Sequence, residues 1–300
     1  MKKVIFMQNL PLKKNASIIN LGNFEHILEM KDQTISFCKR KTNNVYDNGI
    51  WVNLDGKTYY FKQIKTITRL INDLLGVKVT EFFDLPSVHY KIARGFYNGA
   101  EIYGLISKYE RNDNYQYKNL EDIVYSENSI IEDPYDIRNL SVLNAIENAY
   151  GDTLLPTQLK KVLVRDLVTN EQDRRMSEIH IRENHNTTEL DKIFDYEIEW
   201  NLKKDENEED IDETNITKED IDFNYKIPGL LTLTPESLPY IQSDPVFQDN
   251  LRKFMNMEVT SMLEQVEMDH QIILSQKDYD YYSLYTETVK SKIKSEKYLR

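Results

Sequence analysis

The dipeptide Asp55-Gly56 stands between two runs of apolar and aromatic residues, Ile50–Leu54 (IWVNL) and Thr58–Ile64 (TYYFKQI). An Asp-Gly pair accepts the positive φ angles of a tight two-residue turn, so the flanking runs must fold back on each other as a β-hairpin. Alternation along the second strand puts Phe61 and Gln63 on one face and Tyr60, Lys62 and Ile64 on the other. Any fold for this chain must therefore accommodate an aromatic hairpin that carries a lysine on one of its two faces.

The pattern changes after the hairpin. Over Thr66–Phe83, Leu70, Ile71, Leu74 and Val77 recur at helical spacing, and Leu85-Pro86 ends the run. Val88–Ala93 and Glu101–Tyr109 read as two strands around an Asn98-Gly99 turn, and Thr34–Cys38 reads as a strand before the hairpin. Helical periodicity returns at Leu140–Tyr150, and Leu159–Val168 is an apolar helix that Pro156 can start. Glu178–Arg182 and Leu190–Ile198 read as short strands around a turn at 183–188. Pro245–Leu274 and Tyr281–Tyr298 read as helices. The polar, tyrosine-rich stretch 110–135 separates a β-rich part (1–110) from a helical part (111–300).

Composition narrows the function. Hydrophobic residues make up 40% of the 300, enough for a core. The net charge is −12, so attraction to a nucleic-acid backbone or an anionic membrane is not the default. Ten acids fall between Asp205 and Asp222, which reads as a solvated loop. No apolar run approaches membrane-spanning length, and Cys38 is the single cysteine, so the expected location is the cytoplasm. The five histidines are scattered, and no Walker P-loop, GxGxxG or GxSxG is present. The tyrosines 279, 281, 282 and 285 fall partly at helical spacing and read as packing, with a protein-binding surface as the sharper alternative.

The polar run from Asn170 to Glu178 (NEQDRRMSE) follows the apolar helix, and Phe194-Asp195-Tyr196 sits on the far side of the next hairpin. Phosphoryl transfer asks little of a protein beyond a carboxylate near the attacking hydroxyl, oxygen ligands for Mg²⁺ and a lysine on the nucleotide phosphates. A loop acid, a second acid five positions later and a third acid beyond a hairpin can meet at one such site.

These residues resemble the catalytic loop and metal motif of the HipA-like kinases, whose pattern is related to that of the phosphatidylinositol kinases. The resemblance implies an α+β, two-lobed, protein-kinase-like fold with a β-rich N-lobe and a mainly helical C-lobe. It places the catalytic loop at 169–178 and the metal hairpin at 179–198. By resemblance, Asp173 is the catalytic base, Asp195 is a Mg²⁺ (or Mn²⁺) ligand, and Lys62 holds the ATP phosphates. Glu178 stands where the family has Asn, as a second metal ligand, and Arg175 stands where His is common. The helix acid expected to pair with Lys62 is Asp73, with Glu81 the longer-armed alternative. Thr42–Gly49, including Asn43 and Asn44, corresponds to the loop over the phosphates. Leu85–Tyr90 (LPSVHY) and Tyr103–Lys108 (YGLISK) correspond to the two N-lobe strands leading to the hinge, with Lys108 near the nucleotide.

The implied activity is Mg²⁺-dependent transfer of the ATP γ-phosphate to a Ser or Thr hydroxyl of a protein. An antitoxin-like protein partner is implied by resemblance only. Two other readings use the same fold: a catalytically inactive protein-binding module, and a kinase of small molecules or lipid headgroups.

Overall fold

The structure is a computed structural model. It describes residues 10–23, 49–54, 57–64, 66–97, 100–108, 110–127, 140–171, 176–193, 196, 200, 226–227, 231–232 and 237–300. The expected strand at Thr34–Cys38 and the acidic segment Asp205–Asp222 lie outside these residues.

The hairpin forms as its sequence dictates. Strands β2 (Gly49–Leu54) and β3 (Lys57–Gln63) pair antiparallel, with Gly49 opposite Lys62. They join β4 (Tyr90–Tyr97), β5 (Ala100–Lys108) and β1 (Ile19–Asn23) in a five-stranded sheet of order β1-β4-β5-β3-β2. Strand β1 runs parallel to β4 at the sheet edge and comes from a region that carries no strand signal of its own.

Alternation splits the sheet into two faces. Ile64, Ile92 and Leu105 join the main core, while Phe61, Ala93, Ile102 and Ile106 form a small separate cluster. Gly104 permits this on its strand, because a Cβ there would collide with the Phe61 ring and the Lys62 carbonyl.

Helix α1 (Ile67–Phe82) follows the hairpin directly, capped by the Thr66 hydroxyl, which accepts from the Arg69 amide at 3.2 Å. Its apolar side enters the main core through Leu70, Ile71, Leu74 and Leu75, all at most 1% exposed.

The stretch after β5 is more ordered than its polarity predicts. Strand β6 (Gln116–Asn119) and helix α2 (Leu120–Glu127) lie there, and β6 pairs with β7 (His180–Glu183), which pairs in turn with β8 (Thr188–Leu190), in a second sheet of order β6-β7-β8. Tyr117 and Lys118 supply register partners for Arg182 and Ile181, which a polar stretch can do because β7 already carries the buried residue, Ile181.

Strand β8 (Thr188–Leu190) is shorter than the expected Leu190–Ile198. Ile193 leaves the hairpin and makes a parallel bridge with Ser87, its amide donating to the Pro86 carbonyl at 3.0 Å. The backbone bonds needed for a longer hairpin thus go to the segment after α1.

Helices α3 (Leu140–Tyr150) and α4 (Leu155–Thr169) follow the expected periodicity, with Pro156 in the first turn of α4. A short pair, β9 (Lys226–Ile227) and β10 (Leu231–Thr232), precedes α5 (Ser237–Ser243). The expected single helix over Pro245–Leu274 is two helices, α6 (Pro245–Met255) and α7 (Val259–His270). Each end is capped: Asp244 starts α6 by accepting from the Val246 and Phe247 amides, and the Asn256 amide closes it onto the Lys253 carbonyl. The last helix, α8 (Gln276–Ser295), opens with a capping box between Ser275 and Asp278. Among the described residues no helix is long and apolar enough to cross a membrane.

Candidate functional site

Lys62 leaves β3 on the face that looks toward α1. Its ammonium donates to Asp73 Oδ1 at 3.0 Å, and both side chains are largely buried, at 13% and 4% exposure. The chain reaches this geometry in few residues because the Thr66 cap starts α1 directly after the strand and Asp73 falls two turns in.

The alternative acid, Glu81, is engaged elsewhere. It lies 3.6 Å from Lys78 and accepts from the Ser87 hydroxyl at 3.4 Å, while Lys78 pairs with Asp269 of α7 at 2.7 Å. Asp73 is therefore the acid of α1 that meets Lys62.

Asp73 Oδ1 accepts a second bond, from the backbone amide of Tyr196 at 3.2 Å. Tyr196 directly follows Asp195 in the chain. The lysine strand, the acid helix and the segment of the expected metal motif thus converge on one carboxylate oxygen. Asp195 itself lies outside the described residues, as do Asp173, Arg175, Asn43 and Asn44. Gly49, the last residue of the loop expected over the phosphates, is the cross-strand partner of Lys62.

The frame around the expected catalytic loop is described on both sides. Helix α4 ends at Asn170, in the left-handed conformation with φ 53°, which turns the chain out of the helix before Glu171. The Trp200 amide donates to the Thr169 carbonyl at 2.7 Å and so ties the chain beyond the expected metal segment to this helix end. After the loop, Met176–Glu178 forms a single 3-10 turn, with Glu178 half-buried, leading into β7. Lys108 is an exposed residue at the end of β5 that pairs with Glu110, and this neighbour raises its pKa. It is the expected site residue that the structure leaves tied to a surface acid, away from the Lys62–Asp73 pair's bonding network.

On the second sheet, His180 and Asp191 are joined by a backbone bond, the Asp191 amide donating to the His180 carbonyl at 2.8 Å. Burial, with the Arg111 charge nearby, pushes the His180 imidazole down to about 4. Burial also raises the Asp191 carboxyl against the opposing pull of Lys192, Arg182 and Arg111.

Beneath the site lies a polar cluster that the sequence does not reveal. Arg165 of α4 is fully buried. Its guanidinium sits over the Tyr196 ring at 4.7 Å, its Nε donates to the Thr80 hydroxyl at 3.1 Å, and its Nη1 meets Asp166 Oδ1 at 2.5 Å. The available signal was an Arg-Asp pair inside an otherwise apolar helix, LVRDLV.

Helix α1 is also held from α8. The Tyr282 hydroxyl donates to Asn72 Oδ1 at 2.6 Å, one residue before Asp73. Tyr282 and Tyr285 pack edge-on against Trp200 at 5.7 and 5.2 Å. These two tyrosines are buried packing residues rather than a binding surface.

No protein-family model matches the sequence, and no curated protein does. Solved structures do match. The crystal structure of the Helicobacter pylori proinflammatory kinase CtkA is similar over 82% of this chain and 90% of that one, with a TM-score of 0.55 and 14% identity. The chain has a kinase-like fold. HipA of Shewanella oneidensis MR-1, in the structure of its toxin–antitoxin system with HipB and operator DNA, is similar over 83% of this chain and 63% of that one, with a TM-score of 0.49 and 9% identity. Lys62 comes from the five-stranded sheet and Asp73 from α1, and β7 and β8 of the second sheet follow α4 in the chain.

Proposed function

We propose that this chain is an ATP-dependent phosphotransferase that moves the γ-phosphate to a Ser or Thr hydroxyl of a protein. The observation that carries the reading is the Lys62–Asp73 pair, joined to the Tyr196 amide, in a kinase-like fold. A strand lysine held by a helix acid is the arrangement kinases use to place an ammonium on nucleotide phosphates. Here the pairing leaves Lys62 oriented, and a preoriented cation does not have to reorganise when negative charge arrives.

The donor set suits a hard divalent cation. Glu178 and Asp195 supply carboxylate oxygens and would hold Mg²⁺ or Mn²⁺, whose role is to neutralise the phosphate oxygens of ATP. Glu178 in place of the family's Asn adds a negative charge, which favours a metal-loaded state. Asp173 would orient the acceptor hydroxyl and take its proton. The remaining contribution is positioning: few groups need to react, and several must be held still.

The test is thermal unfolding of the full chain with ATP and Mg²⁺ or Mn²⁺, followed by a phosphate-transfer assay on protein acceptors. Ligand at about a hundred times Kd stabilises by ~2.7 kcal/mol, so a shift of several degrees is expected. A shift with no transfer to any protein would favour the inactive binding module. No shift with either metal would remove ATP from the assignment.

A further inference from the structure

Tyr196 is held at both ends. Its amide donates to Asp73 Oδ1 at 3.2 Å, and its hydroxyl donates to the Ile193 carbonyl at 2.6 Å. Between the two ends, the ring is covered by the Arg165 guanidinium at 4.7 Å, and the hydroxyl lies 3.3 Å from Thr80 Oγ1. Thr80 is on α1, two turns beyond Asp73, and its hydroxyl also donates to the Gly76 carbonyl at 2.7 Å. Arg165 is on α4, the helix that leads into the expected catalytic loop.

A guanidinium buried to 0% exposure carries a large desolvation cost unless it is paired and hydrogen-bonded, and an aliphatic side chain would fill the same space without that cost. Arg165 meets partners in three directions: the Asp166 carboxylate, the Thr80 hydroxyl and the Tyr196 ring face. Two of these partners lie outside α4, on α1 and on the metal segment. Those two contacts are made while Tyr196 is turned inward and α1 is docked. A cluster of this kind specifies one geometry, because a half-satisfied buried charge is worse than either a full set of partners or none.

We propose that Arg165 and Thr80 are positioning residues that hold Tyr196 against Asp73, and through it set the nucleotide-phosphate site. They act on the site through Tyr196 and touch no substrate. The consequence for function rests on the phosphotransferase reading, whereas the contact itself does not. When Tyr196 is inward, Asp73 has two donors and Lys62 is aimed. When Tyr196 turns out, Asp73 loses a donor, the chain after Asp195 is released, and Lys62 keeps a partner that is no longer fixed.

The experiment uses the full chain with two variants. Arg165→Met keeps length and removes the charge. Thr80→Val keeps shape, removes the hydroxyl that accepts from Arg165, and serves where Arg165→Met does not fold. Hydrogen exchange at the Tyr196 amide is compared with that at Ile181 in β7 and Tyr285 in α8, and affinity for MgATP is measured on the same samples. The expected result is exchange at Tyr196 faster by about tenfold or more, the size of one lost hydrogen bond to a charged group, with Ile181 and Tyr285 unchanged. MgATP affinity should weaken by a similar factor. Unchanged exchange at Tyr196, or acceleration spread evenly over all three amides, overturns the proposal. Selective acceleration in a chain whose wild type binds no MgATP upholds the contact and removes the phosphotransferase reading instead.

Discussion

Lys62 and Asp73 stand 3.0 Å apart across the junction of β3 and α1, and the Asp73 oxygen that takes the lysine also takes the amide of Tyr196. A carboxylate with a charged donor on one side and a backbone donor on the other keeps one rotamer. This shared oxygen is what links the lysine strand to the segment that carries Asp195.

Breaking one partner of this pair should cost more than removing both. Lys62→Met leaves the Asp73 carboxylate buried without its ammonium partner, and loss of about 3–5 kcal/mol is expected from breaking a buried ion pair on one side. Lys62→Met with Asp73→Leu should recover much of that loss, while neither variant binds MgATP. Urea unfolding of the two singles and the double gives the coupling; additive effects would mean that the pair does not act as a unit.

Asp173→Asn should abolish phosphate transfer while leaving MgATP affinity within about threefold of wild type, a difference below 1 kcal/mol. The two readouts are a transfer assay and thermal stabilisation by MgATP. Full transfer activity in this variant would remove Asp173 from the base role.

Asp195→Asn should abolish the metal-dependent part of nucleotide stabilisation. For a chain of this size roughly 2–4 °C is expected per kcal/mol, so loss of a ~2.7 kcal/mol effect is visible in a melting curve. An unchanged shift in Mg²⁺ and in Mn²⁺ would place the metal on other residues.

Tyr282→Phe removes the hydroxyl that donates to Asn72 Oδ1 at 2.6 Å and leaves that buried amide oxygen without this donor. A loss of about 1–3 kcal/mol is expected, measured as a lower Tm with the same denaturant slope. Because Asn72 precedes Asp73, a lower MgATP affinity should accompany it. A stability loss at unchanged affinity would confine Tyr282 to packing.

Acid should destabilise the fold through two half-buried histidines. Burial holds His180 and His270 at about 4 in the folded chain, against an ordinary 6.5. Both are neutral when folded and bind protons when unfolded at intermediate pH, so this part of the stability is present above 6.5 and lost as pH falls from 6.5 toward 4. The slope approaches about 1.4 kcal/mol per pH unit for each proton taken up. His270→Gln should flatten the fall over that window; an unchanged profile would place the proton uptake elsewhere.

Local chemistry alone determined the hairpin at Asp55-Gly56, the helix that Thr66 caps, the apolar helix that Pro156 starts, and the lysine that shares a face of β3 with Ile64. In each case the deciding interactions lie within one turn or one strand pair, so periodicity and turn residues are enough to read them.

Tertiary structure decided the rest. Spacing left Asp73 and Glu81 both available to Lys62, and Asp73 is chosen because Lys78, Ser87 and Asp269 occupy the surroundings of Glu81. The strand expected to run to Ile198 ends at Leu190 because Pro86 and Val88 take the backbone bonds of Ile193. Strand β1 exists because β4 offers it an open edge, and Arg165 meets partners on α1 and at Tyr196 that are far away in the chain. A backbone donor with two candidate acceptors, or a charge with partners on three elements, carries no local signature; the choice is made only when the elements pack.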